Sequence, residues 1–281
     1  MCSTISKLGE NSMNNFHNVT IGADPELFFV EARTNIPRSA EGLLGGDKHH
    51  PVQMQGLAPG FMVQEDNAAA EFNIPPCTSL DGFTKSIHES LRYIGQIAKK
   101  NRLKLAIVPD LDFPIEQLAT KHCQTLGCDP DFNCWTEQEN PAPRAPETMR
   151  TAAGHIHIGW NKPDWEQVMW MARAFDLFVT VPSLLVTEPN RRRQLYGKAG
   201  ACRPKKYGVE CRSVDNFWLA KKSYQEVLWA NVLNIVEHMN DDATSFTDLI
   251  GDYGSMIVET INGHDRAAAD YLCQKFGVHL F

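Results

Sequence analysis

A chain of 281 residues carrying a net charge of −7 is poorly suited to coating nucleic acid, because neutralising phosphates takes an excess of Lys and Arg. With 43% hydrophobic and 22% charged residues it has the composition of a globular protein able to bury a substantial core, neither a disordered nor a fibrous chain. Eight scattered cysteines lack the density of a secreted disulfide scaffold and fit free thiols in a reducing cytoplasm.

Met1 to Asn18 is polar, without the apolar core of a secretory signal, and is expected to form a flexible tail, leaving 19–281 as a single domain. Val19-Thr20-Ile21 and Leu27-Phe28-Phe29-Val30 read as strand on either side of Asp24-Pro25-Glu26, with Pro25 marking an edge or a bulge. Phe61 to Ile74 reads as a hairpin or one long strand, stopped by Pro75-Pro76. Apolar residues every three to four positions predict an amphipathic helix over Leu80 to Asn101, with Ser79 as its N-cap. Leu103 to Val108 is a further strand, and Asp110 to Arg150 is irregular and too long for a plain connector.

Strand resumes at Ala152 to Trp160, and a helix runs from Asp164 to about Phe178. The apolar stretch Val168 to Val186 contains Arg173, Asp176 and Pro182, so it predicts a buried helix and turn in place of a membrane span. Lys206 to Ser213 reads as strand, Phe217 to Met239 as a long helix and Arg266 to Phe276 as a shorter one. The pattern is mixed α+β without the regular βαβ alternation of a Rossmann fold or a TIM barrel.

Several of these strands carry groups that are costly on an inner sheet face unless something pairs with them. Glu26, Glu65, Glu71 and Glu210 all sit among apolar neighbours, and the even spacing of Glu65 and Glu71 would put them on one side of an unbulged strand, with Asp66 opposite. Such oxygen-rich sites suit Mg²⁺ or Mn²⁺. His155 and His157 also share a face, one as a metal or nucleotide contact and the other lining the same pocket. From Arg191-Arg192-Arg193 through Lys198, Arg203, Lys205 and Lys206 runs a glycine-punctuated basic loop, leading into Glu210 and Arg212. Arg forks match phosphate geometry, so this loop predicts an anion held over a metal. His122, Cys123, Cys128 and Cys134 lack the spacing of a zinc site, and Gly127 to Asn133 reads instead as a turn-rich substrate loop. No Walker, Rossmann or nucleophile-elbow motif is present in the sequence.

In order along the chain, Gly22 to Phe28, Glu65 to Asn73, Gly127 to Asn133, Ala153 to Gly159 and Tyr196 to Arg212 resemble carboxylate–amine ligases of the glutamine synthetase and glutamate–cysteine ligase superfamily. The resemblance is narrower to the phage-encoded COOH-NH2 ligase group, type 2. It implies a curved, mostly antiparallel sheet backed by helices, holding ATP and Mg²⁺ (or Mn²⁺) in its concavity. It further implies metal binding by Glu26, Glu65, Glu71, His155 and Glu210, phosphate neutralisation by Arg193, Arg203 and Arg212, and nucleotide contacts from Lys198, Arg203, Lys205 and His157. The implied reaction joins a small-molecule or peptide carboxylate to an amine through an acyl phosphate, in the cytoplasm and away from membranes. A guanidino-kinase-like phosphotransferase and a non-catalytic nucleotide or nucleic-acid binder are the competing readings.

Overall fold

The structure, a computed structural model, describes residues 16–124, 131–141 and 144–281. Of the expected tail, residues 1–15 lie outside this range, and Phe16 is buried against the Trp160 ring with centroids 5.0 Å apart.

Two antiparallel sheets meet at Asp24-Pro25. In the first, Thr20–Ala23 pairs with Ile156–Gly159, which pairs with Gly208–Cys211, then Ala201–Lys205, Phe132–Asn133 and Gln138–Glu139. In the second, Glu26–Glu31 lies between Leu103–Ala106 and Ala69–Asn73, followed outward by Met62–Asp66 and Val52–Gln53. Main-chain bonds carry the curve across the junction: Asp24 and Glu26 donate to the carbonyls of His155 and Ala153, while Phe72 and Ile74 donate to those of Pro25 and Ala23. Pro25, which has no N–H to offer a ladder, sits where the pairing partner changes.

Helices cover one face of this curved sheet. Leu80–Lys100 is capped by Ser79, whose hydroxyl accepts the Gly82 N–H, and it buries Phe83, Ile87, Ile94 and Ala98 at the predicted helical spacing. Asp164 and Gln167 close a capping box on Trp165–Phe175, which continues as a π-helical turn through Asp176–Thr180. Lys222–Asp252, broken at Asp242, and the helices Gly254–Gly263 and Arg266–Phe276 complete the layer. One apolar core runs between sheet and helices from Phe16 to Val278. No helix among the described residues is long and apolar enough to cross a membrane.

The stretch expected to be a basic loop is in part a strand: Ala201–Lys205 forms a hairpin with Gly208–Cys211. Its alternation is legible in hindsight, with Cys202 buried at 0% exposure while Arg203 and Lys205 project from the other face.

Candidate active site

Cross-strand partners in an antiparallel ladder lie on the same face, and residues two apart along a strand do too. Gly22 is opposite His157, His157 opposite Glu210, and Glu210 opposite Arg203. Two residues further along each strand, Asp24, His155, Arg212 and Lys205 join that face. The intervening residues Ile21, Ala23, Ile156, Ile158, Val209, Cys202 and Cys211 enter the core. This alternation leaves one side of the sheet apolar and gathers the ionic groups on the other.

The same parity governs the second sheet. Glu26 faces Glu71, which faces Gln64, and Asp66 faces Ala69 around a two-residue turn in which Asn67 adopts φ +57°. Glu65 is opposite Ala70, on the other side. The segment is a hairpin and not a continuous strand, so the count of six between Glu65 and Glu71 does not preserve the face, and Asp66 takes the place expected of Glu65. The Glu65 carboxylate instead accepts the backbone N–H groups of Gly42, Leu44 and Gly45 at 2.8–3.0 Å, ordering that loop.

Two clusters of three donors result. Asp24, His155 and Glu210 form one, Glu26, Asp66 and Glu71 the other, each with its donor atoms within 4.8 Å of one another. In the second, burial and the neighbouring Asp66 charge push the Glu26 carboxyl up to about 8. Burial, then the negative charges of Asp24, Asp66 and Glu26, lift Glu71 well above the carboxylate range, and burial raises Asp66 as well. Three carboxyls held this close cannot all ionise without a cation among them, and hard oxygen donors suit Mg²⁺ or Mn²⁺. This donor set fits such an ion.

The first cluster is already charge-matched. Burial and Asp24 oppose ionisation of Glu210, yet Arg212, His155 and His157 bring it down to about 2. Lys205 Nζ lies 2.7 Å and Arg203 3.3 Å from its carboxylate, and Arg212 bonds it directly while reaching Asp131 at 3.3 Å. Burial and then Arg212 lower His155 to about 4, leaving a neutral imidazole able to serve as a ligand. His157 is committed elsewhere: Nε2 lies 2.7 Å from Asp24, and Nδ1 is hydrogen-bonded to the Tyr207 hydroxyl. Burial alone would lower its pKa, but Asp24 outweighs that and raises it. Gly154 allows the approach of this strand to the helical layer, since a Cβ there would stand 2.2 Å from the Asp215 carbonyl oxygen.

Two cavities open on this ionic face. The larger, of about 330 Å³, is lined on its basic side by Lys48, Arg203 and Lys205 and reaches Asp24, Glu71 and Glu210. The smaller, of about 40 Å³, is lined by the alanines 68, 69 and 153 together with Arg192 and Tyr196. Glu26, Asp66, His155 and Arg212 line both and form the wall between them.

Arg193, expected to meet phosphate, does not reach either cavity. It is buried in the helical layer 3.7 Å from Asp215, and its preceding neighbour Arg192 faces the site instead. Lys198 also lines neither cavity. The expected substrate loop Gly127 to Asn133 lies largely outside the described residues, as does Cys128; Asp131 is placed beside Arg212, and Cys123 and Cys134 are free, buried thiols. The sequence leaves open whether Asp24 and Asp66 join the metal-binding residues, and both fall in the two clusters; it does not single out Lys48 or Arg192, and nothing local separates Arg192 from Arg193.

Residues 143–249 match the family model described as Phage phiEco32-like COOH.NH2 ligase-type 2. No curated protein sequence matches the chain. Among solved structures it is similar to GmaS in an ADP complex, at 12% identity and a TM-score of 0.41 over 92% of this chain and 68% of that one. It is also similar to GmaS without ligand, at 10% identity and a TM-score of 0.43 over 94% and 69%.

Proposed function

We propose, from the match of residues 143–249 to the COOH-NH2 ligase type 2 family model, that this chain is a member of that family and an ATP-dependent ligase that joins a carboxylate to an amine through an acyl phosphate. The observation that carries the reading is the shared wall. Four residues, Glu26, Asp66, His155 and Arg212, line a large cation-rimmed cavity and a small alanine-walled one at once, as transfer of a phosphoryl group between two ligands requires.

Lys48, Arg203 and Lys205 would neutralise the triphosphate in the larger cavity, where positioning and electrostatics do most of the work of phosphoryl transfer. Arg212 stands at the crossing point, held there by Glu210 and Asp131, so its guanidinium need not reorganise as charge develops on the transferred group. Asp24, His155 and Glu210, and separately Glu26, Asp66 and Glu71, would hold divalent cations, Mg²⁺ or Mn²⁺, which when bound neutralise phosphoryl oxygens. In the first step a carboxylate oxygen attacks the γ-phosphorus and ADP leaves; in the second a neutral amine attacks the acyl carbon and phosphate leaves.

The direct test is trapping. With ATP, Mg²⁺, a panel of carboxylic acids and hydroxylamine as the amine, an acyl phosphate is intercepted as a hydroxamate, with one ADP and one phosphate released per hydroxamate. ADP release that never depends on a carboxylate, or a stable phosphorylated product without hydroxamate, would overturn the reading.

A further inference from the structure

Arg192 is the most completely buried arginine at the site, 1% exposed, and lines the smaller cavity. One of its terminal nitrogens donates to the Arg212 carbonyl oxygen at 2.8 Å, while its Nε, equally buried, has no hydrogen-bond partner. Leaving a guanidinium nitrogen dry and unpaired is costly, and an arginine that lines a cavity in that state favours an anion that enters it. Of the other two arginines of this cavity, Arg212 is held by Glu210 and Asp131, and Arg150 is spent on structure: it donates to the carbonyls of Cys123, Glu147 and Met149.

The cavity also sets the anion's size. At about 40 Å³ against about 330 Å³ for its neighbour, it favours the more compact of two anionic groups. Ala68, Ala69 and Ala153 line the same cavity with small apolar side chains. Phosphate-bearing groups, with more oxygens and a larger centre, belong to the cavity of about 330 Å³ on the other side of the wall.

We propose that the smaller cavity is the acceptor-carboxylate subsite, with Arg192 as its anion anchor and the three alanines as a filter for a terminal carboxylate on an unbranched carbon. The assignment rests on the ligase reading above and adds which side of the wall the acid occupies and what kind of acid it is. Arg192 thereby selects substrate, while the charge of the transferred group falls to Arg212 across the shared wall.

Acetate is the probe. Its binding is titrated by saturation-transfer NMR with and without Mg·ADP, and ADP binding is titrated separately by calorimetry. In Arg192→Met and Ala69→Val the acetate dissociation constant should rise at least tenfold, with Arg192→Lys recovering part of the loss. ADP affinity should stay within twofold of wild type in all three, which a merely destabilised protein would not show. Wild-type protein that binds ADP but not acetate, or equal acetate affinity in all variants, overturns the subsite. Failure of wild type to bind ADP while acetate behaves as expected counts against the ligase reading and leaves the anion anchor standing.

Discussion

Glu26 and Glu71 stand directly opposite one another on neighbouring antiparallel strands, with 5% and 9% of their surface exposed. Like charges in that position destabilise a ladder, and the protein adds Asp66 to the same face. A divalent cation should therefore stabilise the fold. At a concentration a hundred times its dissociation constant, it would contribute about 2.7 kcal/mol, raising Tm by several degrees. Scanning fluorimetry with Mg²⁺ and Mn²⁺ should show this rise, and Glu71→Gln should weaken it while making the cation-free protein more stable. A wild-type Tm indifferent to either ion would contradict the cluster.

Glu65 and Asp66 are neighbours with opposite duties, and substitution should separate them. Asp66→Ala removes a cluster donor, so the cation-dependent rise in Tm should shrink and hydroxamate formation fall at least a hundredfold. Glu65→Ala strands three backbone N–H groups, each bonded to its carboxylate, and should cost about 1–3 kcal/mol of stability while keeping the cation response. Urea titration combined with cation titration checks both. Equal effects on the two readouts would mean the face assignment is wrong.

Lys205 and Arg193 make a second contrast. Lys205 lines the larger cavity and pairs with Glu210 across 2.7 Å, so Lys205→Met should weaken ADP binding about tenfold by calorimetry. Arg193→Met leaves Asp215 buried without its cationic neighbour and should cost about 3–5 kcal/mol. Its ADP affinity, measured on folded protein, should be unchanged.

Asp176 carries a pH dependence away from both clusters. Burial, only partly offset by its bonds to Ser213, Trp135 and Gly200, lifts its carboxyl to about 6. The unfolded chain releases that proton near 3.8, so between the two values the folded protein binds more protons. Its contribution is fully present below about 4 and is lost as pH rises through about 6. Asp176→Asn retains an acceptor for Gly200 and Trp135, both of which donate to one oxygen. Relative to wild type the variant should gain about 1 kcal/mol between pH 5 and pH 7.5, read from urea midpoints. A constant difference across that range would refute the shift.

The ionic strands are legible because a carboxylate or imidazole among apolar residues stands out in any local window. That signal located Glu26, Glu71, His155 and Glu210 and the helices capped by Ser79 and Asp164. Facing was harder. Glu65 and Glu71 share a face only if the chain runs straight through Asn67-Ala68, and of the two readings, hairpin or long strand, the hairpin resets the parity of everything beyond its two-residue turn. Arg192 and Arg193 differ by the rotation of one position on a four-residue helical turn, and which of them faces the sheet is decided by packing between distant segments. The Ala201–Lys205 strand was read as loop because its glycine flanks and charges outweighed a period of two over only five residues.

Pro25 separates the two donor clusters by a single residue: Asp24 belongs to one and Glu26 to the other. Their spacing is thus a bond-length quantity, about 7 Å for two extended residues, set before any tertiary packing is considered. Neither cluster can be moved apart from its neighbour by a hinge in between, because the chain there is two peptide units long and one of its residues has a locked φ. Any change in the distance between bound ions would have to come from the side chains alone, which makes the pair a rigid ruler against which differently sized phosphate groups would be measured.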